Sequence, residues 1–341
     1  MSKEKYGVGV IGTGWVAGAH IDNFSAIEGC EVVAVSSRSK EKAAAKISNH
    51  NLENATPYDN LQEFLKHPGL DIVVICTPHP NHPDETIAAA EAGKHIVIEK
   101  PVALNRQDLH RMYEAVEKAG VTTSVCFEVR WIGSIINAKK FIEQGLIGDP
   151  FFGSCSYFHG IGPWYGQWGW NIKKDMGGDA LLTAGCHALD ALIWLMGSPV
   201  KEVAAFGQTS KGNPLKYEYD PNIVSILRFE NGAIGNVSTS IECRQPYEFP
   251  VLIQGTRGSI KDNQLSSLEF ESDSWIDFPT SVPDSGDVAD HSYPGQLRHF
   301  VDCLRNGTRP INDLKATMHV HEVMFAMAES RETGEVVQVP R

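Results

Sequence analysis

The chain has 341 residues, 42% hydrophobic and 21% charged, the balance of a folded globular protein, and it is longer than one compact core usually supports. Its 42 acidic against 30 basic residues leave a formal charge of −12, which excludes a surface built for nucleic acid or an anionic membrane and points to small-molecule chemistry. Residues 1–5 run into the first strand without an apolar leader, no segment is long enough to cross a bilayer, and the seven cysteines stand singly without C-x-x-C spacing. These features predict a cytoplasmic protein with reduced thiols and no metal site.

The first elements read as a strand over 6–11 and a helix over 15–27, with Gly12-Thr13-Gly14-Trp15-Val16-Ala17 joining them. Gly12 permits the tight turn, Gly14 lets backbone approach a pyrophosphate, and Ala17 keeps the helix close to the sheet. The helix N-terminus then offers its free N–H groups to the anion. Further strands over 32–36, 72–76, 95–98 and 121–127, with helical periodicity between them, predict a parallel, doubly wound sheet. This is a Rossmann α/β architecture, a dinucleotide-binding domain over 1–127. The second strand ends in Ser36-Ser37-Arg38, with no carboxylate to hold a ribose diol, so Ser37 and Arg38 predict NADP in preference to NAD. Ligands of such sheets bind beyond the carboxyl ends of the strands, where Thr77, Pro78 and His82 fall, as do Glu99, Lys100 and Pro101.

After a helix over 134–144 and a turn over 145–150 the pattern changes. Strands over 151–158, 203–208, 223–229, 233–241 and 251–254 predict a mostly antiparallel sheet in a C-terminal α+β domain over 128–341. Helices are expected over 180–196, 296–305 and 314–329, and 272–290, rich in Ser, Asp and Pro, reads as a loop or an irregular edge.

Lys100 ends a strand at the crevice mouth, suited to hold a substrate hydroxyl and to stabilise the alkoxide formed as hydride leaves. A histidine's ordinary titration near neutral pH suits the accompanying proton transfer, which makes His187 the candidate; Thr183 lies four positions before it and Asp190 three after, within reach on a helix. His159, Trp164, Trp168 and Lys173, with Arg130, are candidate substrate contacts, because aromatic faces bind the C–H surfaces of sugars and cyclic polyols. Each has a plainer alternative: a Glu99–Lys100 surface pair, a histidine satisfied by Asp190, and tryptophans packed in a core or a subunit contact. His319 and His321, two apart, cannot share a helix face, which argues against a metal there.

With these residues in view, the sequence resembles the family of glucose-fructose oxidoreductases, inositol dehydrogenases and rhizopine-catabolism proteins (Gfo/Idh/MocA). The resemblance rests on the turn at 12–17, Thr77-Pro78 with His82, Glu99-Lys100-Pro101, Arg130 after Phe127, 145–149, 185–190, 300–304 and Asn306-Gly307. It implies a Rossmann domain and a C-terminal domain whose open sheet forms a dimer or tetramer interface. It also implies NAD(P)-linked oxidation of a sugar or polyol carbinol, with Lys100 and His187 as the active-site lysine and histidine. The family often carries an aspartate where this chain has Thr183, so the histidine's orienting charge must come from Asp190, Lys100 must carry more of the proton transfer, or turnover is lost. A dinucleotide-binding sensor and a glycosidase-like enzyme using transient oxidation are the competing functions.

Overall fold

The computed structural model describes residues 5–271, 274–282 and 292–340. The chain divides into two units, Met1–Cys126 with Ser292–Met318, and Phe127–His291 with His319–Arg341. A contiguous boundary after residue 127 does not anticipate the return of 292–318 to the first unit. That return is held by buried polar contacts: Gln296 Nε2 donates to Ser124 Oγ at 3.1 Å, and the Val125 N–H to the Asn312 carbonyl at 2.8 Å. Of the segment 272–290, read as a loop or an irregular edge, residues 274–282 are described and pair through Ile276–Asp277 as the edge strand of the large sheet, while the rest lies outside the described residues.

The first unit is built on strands β1 (Tyr6–Ile11), β2 (Cys30–Ser36), β3 (Thr56–Tyr58), β4 (Leu70–Ile75), β5 (His95–Ile98) and β6 (Thr123–Val125). They pair in parallel in the order β3-β2-β1-β4-β5-β6. Helices α1 (Trp15–Ser25), α2 (Lys40–Asn49), α3 (Leu61–Leu65), α4 (His82–Glu91) and α5 (Arg106–Ala119) connect them. Val8, Val10, Ile72, Val73, Val74, Ile96 and Val97 are wholly buried, because both faces of a parallel sheet are covered by helices. Strand order reverses between β1 and β4, which places the ligand crevice of a doubly wound sheet at the carboxyl ends of these strands.

The second unit contains α6 (Gly133–Glu143), β7 (Pro150–Phe158), the short turns α7 (Trp168–Asn171) and α8 (Lys174–Gly177), and α9 (Cys186–Met196). The remaining strands are β8 (Val200–Gln208), β9 (Asn222–Phe229), β10 (Ile234–Ser240), β11 (Val251–Gly255), β12 (Gly258–Lys261), β13 (Gln264–Ser267), β14 (Ile276–Asp277) and β15 (Val337–Gln338). They form a nine-stranded sheet, β14-β13-β12-β11-β7-β10-β9-β8-β15, antiparallel except where β7 meets β10. Along β9, Ile223, Ser225, Leu227 and Phe229 are buried, while Val224 and Ile226 stand 54% and 60% exposed, the alternation of a sheet covered on one face.

A single helix was expected over 180–196; instead a π turn at Leu181–Gly185 precedes α9. Among the described residues, Lys174–Met196 alone passes the length and hydropathy test for crossing a membrane, and 89% of its apolar window is buried inside the protein, as in a core helix. The π turn sits where backbone and β10 approach closely: a Cβ on Gly185 would lie 2.1 Å from Thr239 Oγ1. Gly185→Ala is expected to destabilise the protein by about 1–3 kcal/mol through overpacking, read as a lower urea midpoint, whereas a wild-type midpoint would show that Thr239 yields.

Candidate active site

The carboxyl end of β1 passes directly into the glycine turn. Gly12 has φ 108°, and a Cβ there would lie 2.6 Å from the Cys76 carbonyl oxygen, so both conformation and space demand glycine. Gly14 caps α1 with no side-chain hydrogen bond, and a Cβ on it meets nothing within 4 Å. An uncapped helix N-terminus facing open space fits a pyrophosphate. Thr13 Oγ1 and Ser37 Oγ lie 3.4 Å apart beside it, Val16 is half-buried, and Trp15 and Arg38 are exposed. Lys46 on α2 donates to the Gly14 carbonyl at 3.1 Å, bringing a cation to the turn that no linear motif marks.

The loops after β4 and β5 are tied to each other. One His82 ring nitrogen lies 2.8 Å from the Pro101 carbonyl oxygen and the other 2.9 Å from that of Thr77, and burial pushes the ring's pKa down. His82 thus braces Thr77-Pro78 against the Lys100–Pro101 turn, whose peptide is cis. Glu99, expected at the cofactor, is turned into the core. Its Oε1 lies 2.8 Å from His20 Nε2 and accepts from the Tyr293 hydroxyl at 2.9 Å. Burial by itself would raise the Glu99 pKa, but His20, Lys100 and Tyr293 hold it down to about 2. The other oxygen accepts from the Lys100 N–H at 3.3 Å, so the buried carboxylate fixes the backbone that presents the lysine. His20, Glu99 and Cys126 bring three metal-binding atom types within 4.8 Å, yet the proton donors already on the carboxylate make this a hydrogen-bond network.

In the second unit His187 stands in the first turn of α9, wholly buried. The Thr183 hydroxyl donates to the Gly177 carbonyl at 2.9 Å, anchoring the π turn. Asp190 does not serve His187: its two oxygens accept from Arg130 Nε at 2.7 Å and Nη2 at 2.5 Å. Arg130, a candidate substrate contact, is buried and forked on Asp190, because a guanidinium this buried needs its counter-charge. The carboxylate facing His187 is Glu128, with Oε1 3.5 Å from Nε2. Nothing in the linear spacing pairs these two residues.

Aromatic rings complete the surroundings. Tyr157 lies near-parallel to His187 at 6.1 Å and Phe127 stands edge-on to it at 6.1 Å. Tyr247 meets Tyr157 and His159 edge-on at 5.4 and 5.6 Å, and Tyr165 meets His159 at 6.4 Å. Burial raises the Tyr157 phenol far above its ordinary pKa, so it stays neutral. Of the expected substrate contacts, His159 belongs to this wall and Trp164 is 73% exposed. Trp168 opens α7 with a buried indole N–H that meets no acceptor among the described residues. Lys173 is ion-paired with Glu218 at 2.5 Å on the surface. Sequence reasoning gave no site role to Glu128, Tyr157 or Tyr247; of these only Tyr157, in the aromatic run that ends β7 just before His159, carried a local signal.

Residues 6–127 match the model of an oxidoreductase family with an NAD-binding Rossmann fold, and residues 135–261 match the GFO/IDH/MocA C-terminal domain. The chain belongs to the GFO/IDH/MocA family of oxidoreductases. Within that family it is 29% identical over 341 residues to the scyllo-inositol 2-dehydrogenase (NAD(+)) of Bacillus subtilis, covering 97% of this chain and 95% of the other. It is 27% identical to the D-glucoside 3-dehydrogenase of Escherichia coli, covering 99% of each. The solved structure of a levoglucosan dehydrogenase in complex with NADH and levoglucosan aligns with a TM-score of 0.88 at 25% identity, covering 99% of this chain and 100% of that one.

One ionisable group of this GFO/IDH/MocA chain sits where pH will be felt. The Thr77 hydroxyl donates to Glu85 Oε2 at 2.5 Å, and burial raises Glu85 from its ordinary 4.5 to about 7 despite that bond. Above pH 4.5 the unfolded chain gives up this proton while the folded one keeps it, so stability falls as pH rises and the loss is complete above about 7. Glu85→Gln removes the penalty: its melting temperature should match wild type at pH 4.5 and exceed it at pH 8, by the equivalent of about 2–3 kcal/mol. A pH-independent difference would contradict the assignment.

Proposed function

We propose that this oxidoreductase is an NAD(P)-linked dehydrogenase acting on a carbinol carbon of a sugar, glycoside or cyclic polyol. The observation that carries the reading is the setting of His187: a buried imidazole, faced by a carboxylate and stacked near-parallel to Tyr157, from which Tyr247, His159 and Tyr165 continue an aromatic wall. Such a wall packs against sugar C–H faces, and the inositol, glucoside and levoglucosan dehydrogenases named above support that substrate class. The nicotinamide, when bound, accepts or returns the hydride. Lys100 hydrogen-bonds the reacting oxygen and stabilises it as alkoxide, and His187 takes up the hydroxyl proton in oxidation and gives it back in reduction. Thr183 holds the turn from which His187 projects, and Trp168 offers its indole N–H to a substrate hydroxyl.

Two of these relatives are named with NAD(+) or NADH, and none lends support to the NADP preference expected from Ser37 and Arg38. NAD is therefore the cofactor we assign, while the end of β2, free of carboxylate and carrying an exposed Arg38, leaves the 2′-phosphate unopposed. A second copy of the chain fits the outer face of the large sheet, where Phe206, Val224, Ile226 and Ile234 are exposed on adjoining strands.

Absorbance at 340 nm across a panel of inositols, pyranoses and glycosides tests the reading, with steady turnover expected for at least one. Lys100→Met and His187→Asn should each cut kcat by about 10²–10⁴-fold. Tight dinucleotide binding without turnover, or sugar cleavage without net NADH, would replace it. Arg38→Ala should lower kcat/KM with NADP and spare NAD; equal losses would place Arg38 on the adenine.

A further inference from the structure

The proton taken up by His187 leaves a buried imidazolium, and a buried cation needs a counter-charge. Two nearby candidates are already engaged: the Thr183 hydroxyl donates to Gly177, and Asp190 is forked by Arg130. Glu128 faces the imidazole at 3.5 Å, and both side chains are 1% exposed. The Phe127 and Tyr157 rings flank the imidazole, and burial of both side chains keeps water out, which strengthens any charge interaction between them. We propose that Glu128 is the positioning residue of His187, orienting the ring and stabilising the charged form it takes during proton transfer.

Tyr157 from β7 faces the ring and stays neutral, Arg130 is matched by Asp190, and Lys139 on α6 donates to the Trp194 carbonyl at 3.0 Å. Glu128 and His187 lie on a 3-10 turn, Glu128–Trp131, and the first turn of α9. Two fixed elements, not a loop, therefore set their separation. The catalytic half of the proposal rests on the dehydrogenase reading; the pairing does not.

The test titrates His187 by NMR in the cofactor-free full chain, its resonance assigned with His187→Asn, for wild type, Glu128→Gln and Glu128→Asp. Loss of the carboxylate removes stabilisation of the imidazolium, so Glu128→Gln should lower the His187 midpoint by about one pH unit or more. In sugar oxidation kcat should fall by about 10- to 100-fold with KM little changed, and the acid limb of the rate profile should move to lower pH in step with the NMR midpoint. Glu128→Asp, which keeps the charge, should restore most of both. An unchanged His187 midpoint overturns the pairing, and it does so even if no sugar is turned over. A shifted midpoint with unchanged kcat, or equal losses in the Gln and Asp variants, overturns the positioning role. Should Glu128→Gln fail to fold, Glu128→Met, of similar length and without charge, carries the test: a drop in midpoint supports the proposal and an unchanged midpoint overturns it.

Discussion

Arg130 and Asp190, each buried beyond reach of water, are stable only as a pair, and their two-pronged contact decides what the neighbouring histidine meets. Burial pushes the Asp190 carboxyl up, and the guanidinium draws it back. Both Asp190 oxygens are held by Arg130, although Asp190 follows His187 on the same helix. The imidazole is left to Glu128 on the turn that also carries Arg130. One fork thus assigns three residues at once.

The same logic governs the first unit. Glu99 is a buried carboxylate placed one residue before the lysine on which the chemistry is proposed to turn, and it is held ionised by His20 and the Tyr293 hydroxyl. Its partners come from α1 and from the helix Tyr293–Asn306, so the returning C-terminal segment contributes directly to the end of β5. His82 ties the next loop to this end by bridging two carbonyl groups. A lysine presented from such a braced strand end keeps its direction, as proton transfer and alkoxide stabilisation both require.

The departure at Thr183 gains meaning from this arrangement. A hydroxyl there donates to the Gly177 carbonyl and fixes the π turn, a structural duty that a carboxylate, which only accepts, could not perform while ionised. The charge that the family often carries at this position has a counterpart in Glu128, supplied from a different element.

Local pattern decided much of this molecule. Alternating burial in β9, the apolar run Ile72–Ile75 of β4 and the glycine turn after β1 each follow from the chain's own periodicity and from backbone freedom at Gly12, so the parallel sheet and its glycine turn were legible in the sequence, while the short strand β3 and the strand order were not. The return of 292–318 to the first unit, the inward turn of Glu99, the Arg130–Asp190 fork and the meeting of Glu128 with His187 were not. Each is a pairing of buried polar groups between segments distant in the chain, and such pairings are chosen by which charges are sealed from water together. Hydrophobic spacing records which side of an element faces inward, but only the packed structure determines which inward-facing charge finds which partner.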